Sequence, residues 1–249
     1  QSVAQGEELE TTTYWLAKKQ PSGVYLVDWQ LEGPAHTITA TQPMAPGSSP
    51  KAWSAGAWIA GRTALPVPPT TPSGDYTLSL TLREPGDGTL IGSYTHPALV
   101  EVKGRDRVWE IPPMDHRVGA RFGDMIELAG YDLRQQGDSL RLTLYWQALT
   151  TPDRHYMLFV HLADPQTGEP VSQVDTMPQG FTYPTGQWAP GEVVTDEVEL
   201  STKGAASGRY DLAVGWYDPE TRQRLPVVDS EGRSLPDDRL VLPSSIVLP

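Results

Sequence analysis

Residues 187–225 read QWAPGEVVTDEVELSTKGAASGRYDLAVGWYDPETRQRL, and residues 53–90 read WSAGAWIAGRTALPVPPTTPSGDYTLSLTLREPGDGTL. The two stretches align. Trp188 falls on Trp53, Gly191 on Gly56, Leu200 on Leu65, Gly208-Arg209-Tyr210 on Gly74-Asp75-Tyr76, and Pro219 on Pro85. Each holds a Trp-x-x-Gly turn, a strand-like run, a Gly-x-Tyr step, a second strand and a tight turn. Upstream, Trp15 and Trp146, Pro21 and Pro152, and Tyr25 and Tyr156 stand at one constant offset. Self-similarity over such a distance marks one unit built twice.

The strands follow from alternation. In LRLTLYWQ, Leu140, Leu142, Leu144 and Trp146 share one face, and Arg141, Thr143 and Gln147 the other. HYMLFVHLA is apolar on both faces, and the repeat resolves it. Tyr25, Val27, Trp29 and Leu31 alternate with polar residues, so Tyr156, Leu158, Val160 and Leu162 are expected inward and Met157, Phe159 and His161 outward. Tyr210, Leu212, Val214 and Trp216 face in by the same logic. The turns ADPQTGE, YDPETRQ and REPGDGT use Pro, Asp and Gly chemistry. Short strands, frequent turns and no long 3.6-residue period predict an all-β chain of two tandem antiparallel β-sandwiches, Ig-like or jelly-roll-like, arising from an internal duplication. The expected boundaries are residues 1–104 for copy one, a linker over 105–124, and 125–249 for copy two. Copy one has no equivalent of MIELAGYDL, residues 125–133. Leu99 to Val102 aligns with Arg239 to Leu242, which leaves the tail PSSIVLP, residues 243–249, as surplus apolar chain in copy two.

Composition narrows function. A net charge of −12 argues against nucleic acid or an anionic membrane surface as partner. With no cysteine there is no disulfide framework and no thiolate chemistry. Asparagine is absent, and the 24 prolines sit mostly between elements, a thermophile pattern. No apolar run is long enough to span a bilayer as a helix.

The pieces LAGYDL, LTLYWQA, YMLFVHLADPQTGEPVSQVD, YPTGQWAPGEVVTDEVEL and GRYDLAVGWYDPETRQRL resemble a β-sandwich region at the C-termini of membrane glycosyltransferases of the dolichyl-phosphate-mannose type, and related secreted proteins of Chloroflexi-like bacteria. The resemblance runs from about Ile126 to Pro226. It implies an extracytoplasmic, non-catalytic module, extracellular or at the cell surface, and imports no transferase chemistry because the multi-span catalytic part is absent here.

Candidate sites are few. Phe159, His161 and Tyr217 share an outward face beside the small Ala213 and Gly215, a patch able to stack a sugar ring. The competing expectation is that the linker or the other copy covers it. Trp58 and Trp109 have no repeat partner and are further ligand or interface candidates. Asp196 falls on the inward face of its strand where copy one has Gly61. A buried carboxylate needs donors or a cation. It is expected either to accept backbone amides near Trp188 or, with Asp175, to form a calcium site of oxygen ligands; no other cofactor is expected. No HExxH, GxSxG or phosphate-cradling glycine loop occurs, so no enzyme activity is expected.

Two functions of different class remain. One is a structural surface protein that assembles with itself head to tail, with Ile246, Val247 and Leu248 donated as a strand to the incomplete copy one of the next molecule. The other is a carbohydrate-binding accessory module for a surface glycan.

Overall fold

The computed structural model describes residues 1–84 and 86–248. Pro85, matched above to Pro219, and Pro249, the end of the tail, lie outside the described residues. The chain is nearly all strand and divides into two compact units, Gln1–Arg105 and Asp106–Pro249. Among the described residues, no helix is long and apolar enough to cross a membrane.

Unit one contains β1 (Ser2–Ala4), β2 (Glu8–Leu16), β3 (Leu26–Glu32), β4 (Thr37–Pro43), β5 (Trp58–Pro66), β6 (Gly74–Arg83), β7 (Leu90–Thr95) and β8 (Val100–Lys103). One sheet runs β1-β8-β6-β3-β4, with β7 also on β6, and the other is the pair β2-β5. All pairings are antiparallel except β1 with β8, which is parallel. Leu9, Val27, Trp29, Leu31, Tyr76 and Val100 form the heart of its core.

Unit two contains β9 (His116–Phe122), β10 (Ile126–Gln136), β11 (Ser139–Ala148), β12 (Met157–Ala163), β13 (Pro170–Thr176), β14 (Val193–Ser201), β15 (Gly208–Tyr217), β16 (Val227–Val228) and β17 (Leu240–Leu248). Its sheets run β14-β11-β10-β9-β16 and β13-β12-β15-β17. The core holds Leu140, Leu142, Leu144 and Trp146 from one sheet and Leu158, Val160, Leu212 and Trp216 from the other, as alternation requires. Trp216 stacks edge-on against both Trp146, at 4.9 Å, and Trp188, at 6.0 Å.

The recurring residues act alike in the two units. The Trp53 indole N–H donates to Ser48 Oγ and that of Trp188 to the Tyr183 carbonyl, each five residues upstream. Tyr76 and Tyr210 hydroxyls each donate to the carbonyl four residues upstream, of Pro72 and Ala206. The tyrosine bonds pin the turn that launches β6 or β15, and the tryptophan bonds fix the loop before β5 or β14.

Two expectations need correction. The stretch expected as a linker, residues 105–124, is mostly folded into unit two. Residues 116–122 are β9, paired to β10, and Val193 N–H donates to the Val108 carbonyl. The Arg107 guanidinium is buried, ion-paired to Glu192 and donating to the Tyr183 hydroxyl at 2.6 Å. Mixed charge looked like solvated connector because the sequence does not reveal that Glu192, far along the chain, neutralises Arg107.

The tail is not surplus. Gly208 pairs with Leu248 and Tyr210 with Ile246; in unit one Gly74 pairs with Val102 and Tyr76 with Val100. By register, Ser245 to Leu248 corresponds to Leu99 to Val102. Leu240 and Val241 pair with Val214 and Ala213, as Tyr94 and Thr95 of β7 pair with Leu80 and Ser79. One strand in unit two thus does the work of β7 and β8 in unit one. Ile246 and Leu248 are buried in their own core, and only Val247 of the three points outward, 66% exposed. Withdrawing them would expose two aliphatic side chains worth about 1.5–3 kcal/mol each.

Candidate functional site

Unit one has an open groove where unit two is closed. β11 is flanked by β14 and β10, whereas β2 is paired only with β5. Among the described residues no strand lies on its other edge. The inward residues of β2 therefore stay half-buried: Thr11, Thr13 and Trp15. Their counterparts Leu142, Leu144 and Trp146 are fully buried under β10. A groove of about 440 Å³ opens beside β2, walled by those residues, by Trp29, Leu78 and Leu80, and by Tyr94 and His96 at the rim. Its lining is mainly apolar.

The free edge carries main-chain hydrogen-bonding groups. The Gln1 side-chain amide donates to the Glu10 carbonyl at 2.8 Å. Main-chain groups alternate in direction along a strand, so those of Thr12 and Tyr14 share the direction of Glu10. The threonine hydroxyls are turned the other way, Thr11 donating to the Thr63 carbonyl at 3.1 Å and Thr13 to that of Gly61 at 3.2 Å. An apolar floor beside an unpaired strand edge is the chemistry of strand addition.

No protein-family model matches this chain. No curated protein matches it in sequence.

The second candidate is a shallow cleft of about 540 Å³ on the outer face of unit two. It gathers Phe159, His161 and Tyr217, as the outward parity predicts. Phe159 and His161 rings stand 4.8 Å apart, and Phe159 and Tyr217 6.4 Å. Gly215 makes this possible, because a Cβ there would overlap the Phe159 ring. Phe159 is not a free stacking platform, however. It is 2% exposed, and the Arg224 guanidinium lies 4.5 Å from its ring centroid. Within unit two the cover over this ring therefore includes the hairpin after β15. The Asp218 carboxylate accepts the Glu220 amide, the turn holds Arg222 at φ 62°, and Arg224 bridges back to Tyr217. Both arginines lie between β15 and β16 rather than within a strand, so alternation in the sequence gives no sign of them.

Gln173 and Asp175 complete the cleft from β13, with Asp175 opposite Phe159 in the ladder. Tyr217 is held protonated by partial burial and by its hydrogen bond to Asp175. Burial pushes the His161 imidazole below its ordinary value despite nearby Asp175, so it is neutral at pH 7.

The proposed calcium pair does not assemble. Asp175 is on the outer face of its sheet, while Asp196 points into the core, 1% exposed. No group of three or more His, Cys, Asp or Glu converges among the described residues. Asp196 instead accepts the Gln179 amide at 2.8 Å, in a turn where Gln179, Gly180 and Phe181 all have positive φ. Its second oxygen is buried without a partner, and burial raises the carboxyl to about 6. In unit one the Met44 carbonyl would overlap a Cβ at Gly61, so main chain fills the place that Asp196 occupies in unit two. Trp58 stands in unit one on β5, 68% exposed, away from the groove lining, and Trp109 is also exposed.

Proposed function

We propose that this chain is a non-catalytic structural module of an extracellular or cell-surface protein, whose first unit accepts an extended strand from another polypeptide at the free edge of β2. The carrying observation is the groove of about 440 Å³ beside the free edge of β2. The occupant follows from unit two, which fills the matching position with β10. There Leu128 pairs with Trp146, Tyr131 with Leu144 and Leu133 with Leu142. The incoming segment is therefore antiparallel to β2, with large apolar side chains over Trp15, Thr13 and Thr11. The donor is not the tail residues Ile246 to Leu248, which are committed to their own sheet. This keeps assembly by strand addition but discards the head-to-tail donor first expected from sequence.

A peptide of the β10 sequence, residues 126–136, is the direct probe. It should bind the intact chain and protect the β2 amides from hydrogen exchange. Thr12→Pro removes a free-edge donor and should weaken that binding while leaving the fold intact, since proline is tolerated on an edge strand. Equal binding of a scrambled peptide, or protection that does not include β2, rejects the proposal.

A second reading, a carbohydrate-binding accessory module, is favoured by one observation: the aromatic and polar side chains that converge in the cleft of unit two.

A further inference from the structure

The cleft of unit two brings two arginines together in a strongly acidic chain. The protein carries 31 acidic residues against 19 Lys and Arg. Yet Arg222 and Arg224 stand side by side over the cleft, and among the described residues neither is ion-paired to a carboxylate. Elsewhere in unit two, Arg107, Arg154 and Arg134 are held by acids, Glu192, Asp218 and Asp115.

Their positions are built. Arg224 is seated on Phe159 and donates one N–H to the Asp237 carbonyl at 2.8 Å. Arg222 lies over the Tyr217 ring, 5.6 Å from its centroid, and its contact with the Tyr217 hydroxyl is long, 3.4 Å. A guanidinium has five donors in a planar fork, so both retain donors for a planar acceptor. Asp175 and Gln173 supply acceptors and an amide on the opposite wall. A neutral His161 adds no charge, which leaves two cations facing one carboxylate.

We infer that this cleft binds a carboxylated sugar, a hexuronate residue of an acidic glycan, with the carboxylate on Arg222 and Arg224 and the hydroxyls on Asp175 and Gln173. Two parallel N–H···O bonds from arginine match a carboxylate in geometry as well as charge. Hydroxyls need both acceptors and donors, which a carboxylate and a side-chain amide provide together. The cleft volume of about 540 Å³ is in the range of small-ligand sites. The strongly negative chain would repel a long polyanion elsewhere, so recognition is confined to the cleft. This inference rests on the carbohydrate-binding reading and makes it specific to acidic sugars.

The test is calorimetric titration of the full chain with oligogalacturonate, with the carboxyl-reduced neutral oligosaccharide, and with inorganic phosphate. Oligogalacturonate should bind about tenfold or more tightly than the neutral sugar, and Arg222→Gln should remove that preference, the loss of one charge-assisted bond. Arg222 is exposed, so an unchanged unfolding midpoint will show that the variant is folded; Asp175→Asn gives a second, independent loss on the hydroxyl side. Equal binding of neutral and acidic sugars overturns the acidic specificity while leaving the carbohydrate reading standing. Binding of neither overturns both. Phosphate competing as well as galacturonate overturns sugar recognition in favour of a simple anion site.

Discussion

β2 and β11 hold the same place in their sheets, but β11 has a neighbour on both edges and β2 on one. Their inward residues differ accordingly. Beneath the cover of β10, β11 carries Leu142, Leu144 and Trp146; at the open edge β2 carries Thr11, Thr13 and Trp15. Leucine exposed in an open groove forfeits its burial and invites aggregation, whereas threonine turns its hydroxyl to the main chain of β5 and offers a methyl to the groove. Threonine at these positions suits a strand edge that has no neighbour among the described residues.

The sharpest way to break this comparison is to truncate both tryptophans. Trp146→Ala should cost about 3–5 kcal/mol in urea unfolding, because it empties a site packed by Phe122 and Trp216. Trp15→Ala should cost about 1 kcal/mol or less, as expected for a half-buried side chain. Similar losses at both positions would mean that the groove is closed in solution.

Glu192→Ala tests what holds the first residues of unit two. It leaves Arg107 buried without its carboxylate, and a loss of about 3–5 kcal/mol is expected. At the corresponding place unit one has only Ala57, so Ala57→Ser should be almost silent by the same measurement.

Asp196 gives a pH signature to unit two that unit one, with Gly61, lacks. Its carboxyl is raised in the folded chain to about 6 from an ordinary 3.8. The folded state therefore holds a proton that the unfolded state has released. The associated stability is fully present below pH about 3.8 and is lost as pH rises through about 6, about 3 kcal/mol in all. Asp196→Asn should flatten that part of a stability-against-pH curve. An unchanged slope would show that another group is responsible.

The smallest effect is expected from making unit one resemble unit two. Thr13→Leu should change stability by about 0.5 kcal/mol or less, yet tighten binding of the β10 peptide and increase light scattering at high concentration. If scattering and affinity both stay unchanged, the inward face of β2 does not meet the incoming strand.

Much of this was legible in the residues. Period-2 alternation, read through the internal repeat where a strand is apolar on both faces, placed Leu158, Val160, Leu212, Val214 and Trp216 inward and brought Phe159, His161 and Tyr217 to one outer face. The recurrence of Trp53 and Trp188, and of Tyr76 and Tyr210, identified the turns. Parity also put Asp196 inside. What misled was similarity without register: RLVL resembles the chain at Leu99 to Val102, but hydrogen-bonded pairing with Gly208 and Tyr210 assigns that role to Ser245 to Leu248. Arg107, Arg222 and Arg224 were missed because a charge in a loop has no periodicity to betray its partner.

Sequence alone determined the all-β architecture and the inward and outward face of most strands, because a strand's side chains alternate whatever it pairs with. Only the tertiary structure decided which edges are occupied. That depends on contacts between residues far apart in the chain, and it is what closes unit two over β11 and commits its last strand to its own sheet. The same long-range placement leaves a groove beside β2 and sets Arg224 over the buried Phe159 and Arg222 over Tyr217.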